Sequence, residues 1–228
     1  IRDSNSPGAQ GFGVKRAGLA VPNSVMLLVA PACCGRNTTM LSAESGYGDR
    51  FFYLLLDDTD IITGRHLTKI PKAVEEVCQS LDYTPSAVMI CITCVDALLG
   101  TDMDRVCRKS SDRAGVPVVP CYMYALTREK RLPPMASVRK SVYSLLKPRK
   151  RKSDEVNILG YFSPLQEDCE LYSLLKGAGV KTIRELSRCD TFEEYEKMSQ
   201  ANFSLVLNAE ARYAAQQMDQ ELNIPFIE

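Results

Sequence analysis

Cysteine is the residue type with the clearest chemical potential in this chain. The 228 residues include nine cysteines, at Cys33, Cys34, Cys78, Cys91, Cys94, Cys107, Cys121, Cys169 and Cys189. Thiols ligate metals, act as nucleophiles or fill cores as small hydrophobes. No secretory apolar core precedes them, so a reducing cytoplasm is the expected compartment and disulfides are not expected. Position separates the remaining uses. Three apolar runs that read as buried strands lead into cysteine: Val25–Val29 into Cys33 and Cys34, Ala87–Ile92 into Cys91 and Cys94, and Val116–Val119 into Cys121. Open parallel sheets bind ligands beyond the carboxyl ends of their strands. Parallel strands here would therefore bring these thiols to one edge. Cys91 is expected to point into the sheet, and Cys78, Cys107 and Cys169, on helical faces, are read as packing residues.

The chemistry of that edge stays open on residue types alone. Cys91-Ile92-Thr93-Cys94 is a C-x-x-C, yet it straddles a strand end, whereas a redox-active dithiol sits at a helix start. Structural zinc wants four ligands in paired knuckles, and adjacent cysteines at 33 and 34 suit one tetrahedral ion poorly. A thiolate-held iron–sulfur cluster is the other metal reading. The positive end of a helix opening at Thr101-Asp102-Met103-Asp104, with Thr101 as its expected N-cap, would favour thiolates nearby. His66 has no identifiable catalytic partner and reads as a turn residue. Gly11-Phe12-Gly13 precedes its strand and lacks dinucleotide-fingerprint spacing, and no G-x-x-x-x-G-K-[ST] loop is present. The chain thus has no P-loop of its own for ATP. Arg128, Lys130 and Arg131 follow the Cys121 strand and read as an exposed loop or an anion-facing one.

The elements that must position these thiols alternate. Phe51–Leu56 is a further apolar run. Ile70, Ala73, Val74, Val77, Cys78 and Leu81 recur at helical spacing, and Gly115 stops the helix that begins near Thr101. Residues 1–24, rich in Gly, Ser, Pro and Asn, read as an irregular arm. The run Lys147-Pro148-Arg149-Lys150-Arg151-Lys152 reads as a solvated hinge, after which strands (Val156–Gly160, Val180–Ile183, Phe203–Leu207) again alternate with helices (Asp168–Gly177, Thr191–Met198, Ala209–Leu222). Strands alternating with helices predict an α/β fold of Rossmann-like parallel sheets in two consecutive units, 1–150 and 151–228, the second incomplete. The chain begins at Ile1 without Met and stops at Asn223-Ile224-Pro225-Phe226-Ile227-Glu228, which reads as a strand just begun. A piece of a longer protein is the expectation.

Composition bounds the partners. Lys+Arg and Asp+Glu are equal at 28 each, with 45% hydrophobic residues, which argues against disorder and against a wholly basic nucleic-acid binder. No apolar stretch approaches the ~20 residues of a membrane span, so neither nucleic acid nor membrane is an expected partner.

Three segments resemble those of the nitrogenase component 1 family. Val29-Ala30-Pro31-Ala32-Cys33-Cys34-Gly35 resembles its strand-end G-P-x-x-C. Asp57-Asp58-Thr59-Asp60-Ile61-Ile62-Thr63-Gly64 resembles its acidic E-x-D-x-x-F-G. Thr93-Cys94-Val95-Asp96-Ala97-Leu98-Leu99-Gly100-Thr101-Asp102-Met103 resembles its C-x-x-x-x-I-G-D-D, the most specific of the three. From Asn157 onward the chain is similar to the start of the family's second domain. The resemblance implies an iron–sulfur-dependent reductase acting on a small molecule, fed by a separate ATP-dependent iron–sulfur reductase, or else a scaffold that assembles a metallocofactor. It implies Cys34 and Cys94 as cluster ligands, with Cys33 in reserve and Cys121 not required. Two thiolates per chain imply a [4Fe–4S] cluster shared with a homologous subunit in a homodimer or hetero-oligomer. The family's middle cluster cysteine would fall near Phe51–Leu56, where this chain has none, which weighs against a large eight-iron cluster. Cofactor ligands of true nitrogenase would lie beyond residue 228.

Overall fold

In the computed structural model, residues 9–32, 34, 48–123 and 132–228 are described. The chain divides into two compact units, Ile1–Leu19 with Asn23–Val138, and Ala20–Pro22 with Arg139–Glu228.

The first unit opens with helix α1 (Ala9–Leu19), followed by strand β1 (Val25–Ala30). Strand β2 (Phe51–Leu55) leads into the short helix α2 (Asp58–Thr63) and the longer α3 (His66–Ser80). Strand β3 (Val88–Ile92) is followed by helices α4 (Cys94–Leu99) and α5 (Met103–Ala114), then by strand β4 (Val118–Tyr122); helix α6 (Pro134–Tyr143) begins in this unit and ends in the second. The four strands form one wholly parallel sheet in the order β2-β1-β3-β4. β1 and β3 are buried at every position, as strands covered on both faces must be. One face carries Val25, Leu27, Val29, Val88, Ile90 and Ile92, packed with Ile70, Val74 and Val77 of α3 and Met103 and Val106 of α5. The helical spacing read from Ile70 onward is the buried stripe of α3.

The second unit repeats the plan. Strand β5 (Glu155–Leu159), helix α7 (Glu170–Gly177), strand β6 (Thr182–Glu185), helix α8 (Phe192–Glu196), strand β7 (Phe203–Val206), helix α9 (Arg212–Leu222) and strand β8 (Phe226–Ile227) follow in turn. Its parallel sheet runs β6-β5-β7-β8. Two four-stranded parallel sheets with flanking helices are the α/β, Rossmann-like architecture that the alternation predicts. The basic run is tied to this unit: Arg149 pairs with Glu196 at 2.8 Å, Lys152 with Glu155 at 2.8 Å, and Arg151 donates to Asn202 Oδ1 at 3.0 Å.

Two expectations need correction. Residues 9–19 are not an irregular arm but α1, which packs on β1, β3 and β4. Its glycines, which disfavour a helix in isolation, mask it in sequence. Gly18 permits the close packing: a Cβ there would lie 2.6 Å from Met26 Cε and 3.4 Å from both Cys121 Sγ and Met89 Cγ. The cap of α5 is Asp102, whose Oδ1 accepts from Arg105 N at 3.0 Å, rather than Thr101.

The close approach of α1 generates a graded expectation. Gly18→Ala should be nearly neutral, because the end of the Met26 side chain yields and alanine favours the helix by about 1 kcal/mol. Gly18→Val adds branches toward Cys121 and Met89 and should cost about 1–3 kcal/mol. Urea unfolding of the two variants checks this.

Candidate metal centre

A parallel sheet ordered 2-1-3-4 reverses its winding between strands 1 and 3, and a crevice opens beyond the carboxyl ends of those two strands. Here they lead into Cys34 and Cys94. Met26 is opposite Met89 and Val29 opposite Ile92, so the two chain segments leave the sheet side by side.

The Cys34 side is held by local bonds. Cys34 N donates to Pro31 O at 3.1 Å, and the Tyr53 hydroxyl of β2 donates to Pro31 O at 2.7 Å. Cys34 is half-buried. Cys33 lies outside the described residues, as do Arg128, Lys130 and Arg131. On the other side, Cys94 begins α4 itself, rather than preceding a single helix from Thr101. Gly100 ends this short helix at φ +63°, a left-handed turn that glycine takes without strain, and Asp102 caps the next helix. The segment from Cys94 to Asp102 is thus a helix, a reversal and a cap in succession. Cys94 is also half-buried.

The other thiols are sealed. Cys91 and Cys121 face each other in register on β3 and β4 and are both fully buried. Cys121 therefore lies within the sheet, not at its edge, while Cys91 points inward as expected. Burial pushes the Cys91 and Cys107 thiols up to about 12 and raises that of Cys121 well above its ordinary value. Such thiols stay protonated, and thiolates are what bind metal.

Two side-chain oxygens of this unit are buried without a hydrogen-bond partner among the described residues: Asp60 Oδ1, and Thr93 Oγ1, adjacent in sequence to Cys94. Lys15 of α1 is also buried, only 2% exposed. Its Nζ lies 5.9 Å from the Phe51 ring centroid, a contact worth about 0.5–2 kcal/mol. Desolvating an ammonium costs several kcal/mol, so the ring offsets only part of it. Burial lowers the Lys15 ammonium to about 8, while Cys91 and Cys34 act in the opposite sense. Half-buried thiol donors, one of them next in sequence to a buried hydroxyl without a partner among the described residues, fit a thiolate-ligated group. The pair Cys34 and Cys94 fits half of a four-thiolate set. Among the described residues no group of three or more His, Cys, Asp or Glu could hold a metal ion. Sequence reasoning missed Lys15, since a lysine in a glycine-rich stretch reads as solvated until the helix is known.

The acidic segment has a structural role. Asp57 caps α2 and shares a capping box with Asp60. Asp60 is fully buried and paired with Lys69. His66, a buried helical residue rather than a turn residue, donates from Nδ1 to Asp60 O at 3.2 Å, which fixes its proton there; Nε2 meets Thr101 Oγ1 at 3.3 Å. This bridge ties the acidic turn to the loop after α4.

Residues 9–228 match the family described as Nitrogenase component 1 type Oxidoreductase. The chain belongs to that family. It is 27% identical over 224 residues to the nitrogenase iron-molybdenum cofactor biosynthesis protein NifE of Rhizobium meliloti, an alignment covering 95% of this chain and 47% of that protein. It is 26% identical over 222 residues to the nitrogenase molybdenum-iron protein alpha chain of Methanosarcina barkeri, covering 91% of this chain and 41% of that one. The chain therefore spans less than half the length of these relatives. A solved structure, Nitrogenase Cp1 at pH 6.5, shares the fold with a TM-score of 0.67 at 21% identity, covering 93% of this chain and 44% of the other. Among the described residues, no helix is long and apolar enough to cross a membrane.

Two expectations follow from this geometry. In the folded apo chain at pH 8, iodoacetamide should label Cys34 and Cys94 while Cys91, Cys107 and Cys121 stay unmodified; peptide mass mapping reads the difference. The Asp60 carboxyl is held below the ordinary carboxylate range, chiefly by its hydrogen bond from Lys69. Its contribution is present above the unfolded value of about 4 and is lost as pH falls through the lower folded value. Lys69→Met should therefore destabilise the chain at pH 5–7, with the difference from the parent shrinking as the solution is acidified. Denaturant unfolding measured against pH checks the sign.

Proposed function

We propose that this chain forms the N-terminal part of a nitrogenase-like component 1 subunit that carries half of a [4Fe–4S] site. Cys34 and Cys94 supply two thiolates, and the same pair on a homologous subunit, related by a two-fold or pseudo-two-fold axis, completes the four. The observation that carries the reading is their position on either side of the β1/β3 crevice, half-buried, while Cys91, Cys107 and Cys121 are sealed in the core. Cys33 is the reserve ligand. The residues from 151 onward open a second Rossmann-like domain of the longer protein.

When bound, a cluster of this kind supplies one-electron chemistry at low potential. The chain's own part is to hold and shield it. Tyr53 and the Pro31 carbonyl fix the approach of Cys34, Gly100 and Asp102 fix that of Cys94, and the fully buried β1 and β3 exclude water from below. The donor in this reading would be a separate ATP-dependent iron–sulfur reductase, delivering electrons one at a time. The acceptor would be a small-molecule substrate in the cytoplasm.

The NifE relative favours a second reading, a maturation scaffold that assembles a metallocofactor. The two differ in what leaves the protein. Nucleotide-dependent reduction of a small molecule supports the reductase, and delivery of an intact cluster to an apo-acceptor supports the scaffold.

Iron content tests the site under either reading. In the full-length protein with its partner subunit, purified anaerobically, Cys34→Ser and Cys94→Ser should lose iron while circular dichroism stays unchanged. Cys78→Ser, a half-buried thiol of α3, should keep it. Unchanged iron per dimer in both Cys34 and Cys94 variants overturns the assignment. About four irons per monomer without a dimer overturns the shared site.

A further inference from the structure

The function proposed above makes no use of the basic run in the second unit. Four of its cations, Arg149, Lys150, Arg151 and Lys152, line one cavity of about 550 Å³ together with Gln200. The segment is anchored rather than free. Lys152 N donates to Gln200 O at 2.8 Å. Arg151 donates to Asn202 Oδ1 at 3.0 Å, and Arg149 pairs with Glu196 at 2.8 Å. Pro148 restricts the backbone further. Lys152 and Gln200 lie three residues before β5 and β7 respectively. The cavity is thus at the amino ends of those strands, away from the carboxyl edge where the winding reverses.

Folding therefore holds four like charges around one space, which costs free energy until a counter-charge arrives. The described residues supply only part of it. Glu196 pairs with Arg149, while Glu155, paired with Lys152 at 2.8 Å, is shared with Arg184 at 3.1 Å. Lys150 is exposed and has no ion pair among the described residues. The excess is local, since the whole chain carries no formal net charge. The volume falls in the range of small-molecule sites, about 300–1,000 Å³. No aromatic residue lines it, so a base has nothing to stack on. Arginine offers a planar fork to phosphate oxygens and lysine a point charge. Adjoining phosphates concentrate negative charge in such a space better than the carboxylates of an acidic polypeptide, which are spread along a backbone.

We propose that the Arg149–Lys152 cavity binds a small oligophosphate anion of two or more adjoining phosphates, inorganic or at the phosphate end of a nucleotide. No bond is made or broken there. The inference stands apart from the cluster assignment.

The test is calorimetric titration of the full-length protein with tripolyphosphate at low salt. Expected is saturable binding, with inorganic phosphate binding far more weakly. Lys150→Gln and Arg151→Gln should each weaken it about two- to fivefold, and the double variant about tenfold. Lys150→Arg should keep the parental affinity. Lys109→Gln/Lys176→Gln, which removes the same charge from exposed positions on α5 and α7, should leave binding unchanged. Iron content should match the parent in every variant, which separates this site from Cys34 and Cys94. Tighter binding of tripolyphosphate than of ATP identifies the inorganic anion as the ligand. ATP binding as tightly, with AMP much weaker, identifies the phosphate end of a nucleotide. AMP binding as tightly as ATP overturns the oligophosphate reading. So does the absence of saturable binding, or an equal loss in the Lys109/Lys176 variant, which reveals diffuse attraction to surface charge. Tighter binding of an oligoglutamate peptide than of tripolyphosphate overturns it in favour of an acidic polypeptide.

Discussion

The hydrogen-bonded register between β1 and β3 is the constraint on which the thiol edge depends. Five consecutive residue pairs, from Val25 opposite Val88 to Val29 opposite Ile92, fix the two strands in parallel. Because they are neighbours in the sheet but lie on either side of the winding reversal, their following segments diverge around a crevice instead of crossing it. A slip by one residue would exchange the faces of every side chain on the strand. Leu27, Val29, Ile90 and Ile92 would then leave the apolar layer they form with α3 and α5. The core therefore enforces the register, and the register sets where Cys34 and Cys94 emerge.

The two faces of the first sheet do different work. The α3/α5 face is a conventional apolar layer, well supplied with branched residues. The α1 face is softer and more mixed: Met26, Met89 and Cys121 meet a glycine, and a lysine is buried one turn away. Such a face stabilises less per unit area, but it brings helix backbone close to the sheet. The His66 bridge from Asp60 O to Thr101 performs a related task on the other flank. It joins the acidic turn after β2 to the loop that follows α4, so the helix begun by the half-buried Cys94 is followed by a polar link.

What is legible in the sequence follows from burial. Continuous apolar runs such as Val25–Val29 and Ala87–Ile92 name strands covered on both faces, and the stripe from Ile70 to Val77 names the helix that covers one of them. The strand ends then mark Cys33, Cys34, Cys91, Cys94 and Cys121 as candidates, and the family resemblance singles out Cys34 and Cys94 among them. Helix α1 is hidden because its evidence is steric: Gly18 lowers helix propensity locally, and its advantage exists only against Met26 and Met89 in the folded state. Lys15 is hidden for the same reason, as burial of a charged residue cannot be read before its helix is placed. Cys121 misleads in the opposite direction. Its run of valines suggests a strand ending at the cysteine, whereas the strand continues to Tyr122 and holds the thiol inside the sheet.

Parallel pairing also imposes an order of events. Cys34 and Cys94 are sixty residues apart along the chain, and no local hairpin joins their strands. Their approach requires closure of a long loop, whose entropy is lost before the contacts of β1 with β3 repay it. An emerging or partly folded chain therefore presents two solitary thiols, each a poor trap for stray metal. The paired edge comes into being only when the sheet does, so any inorganic group seated there arrives after the polypeptide has folded, and its loading is a check that folding succeeded.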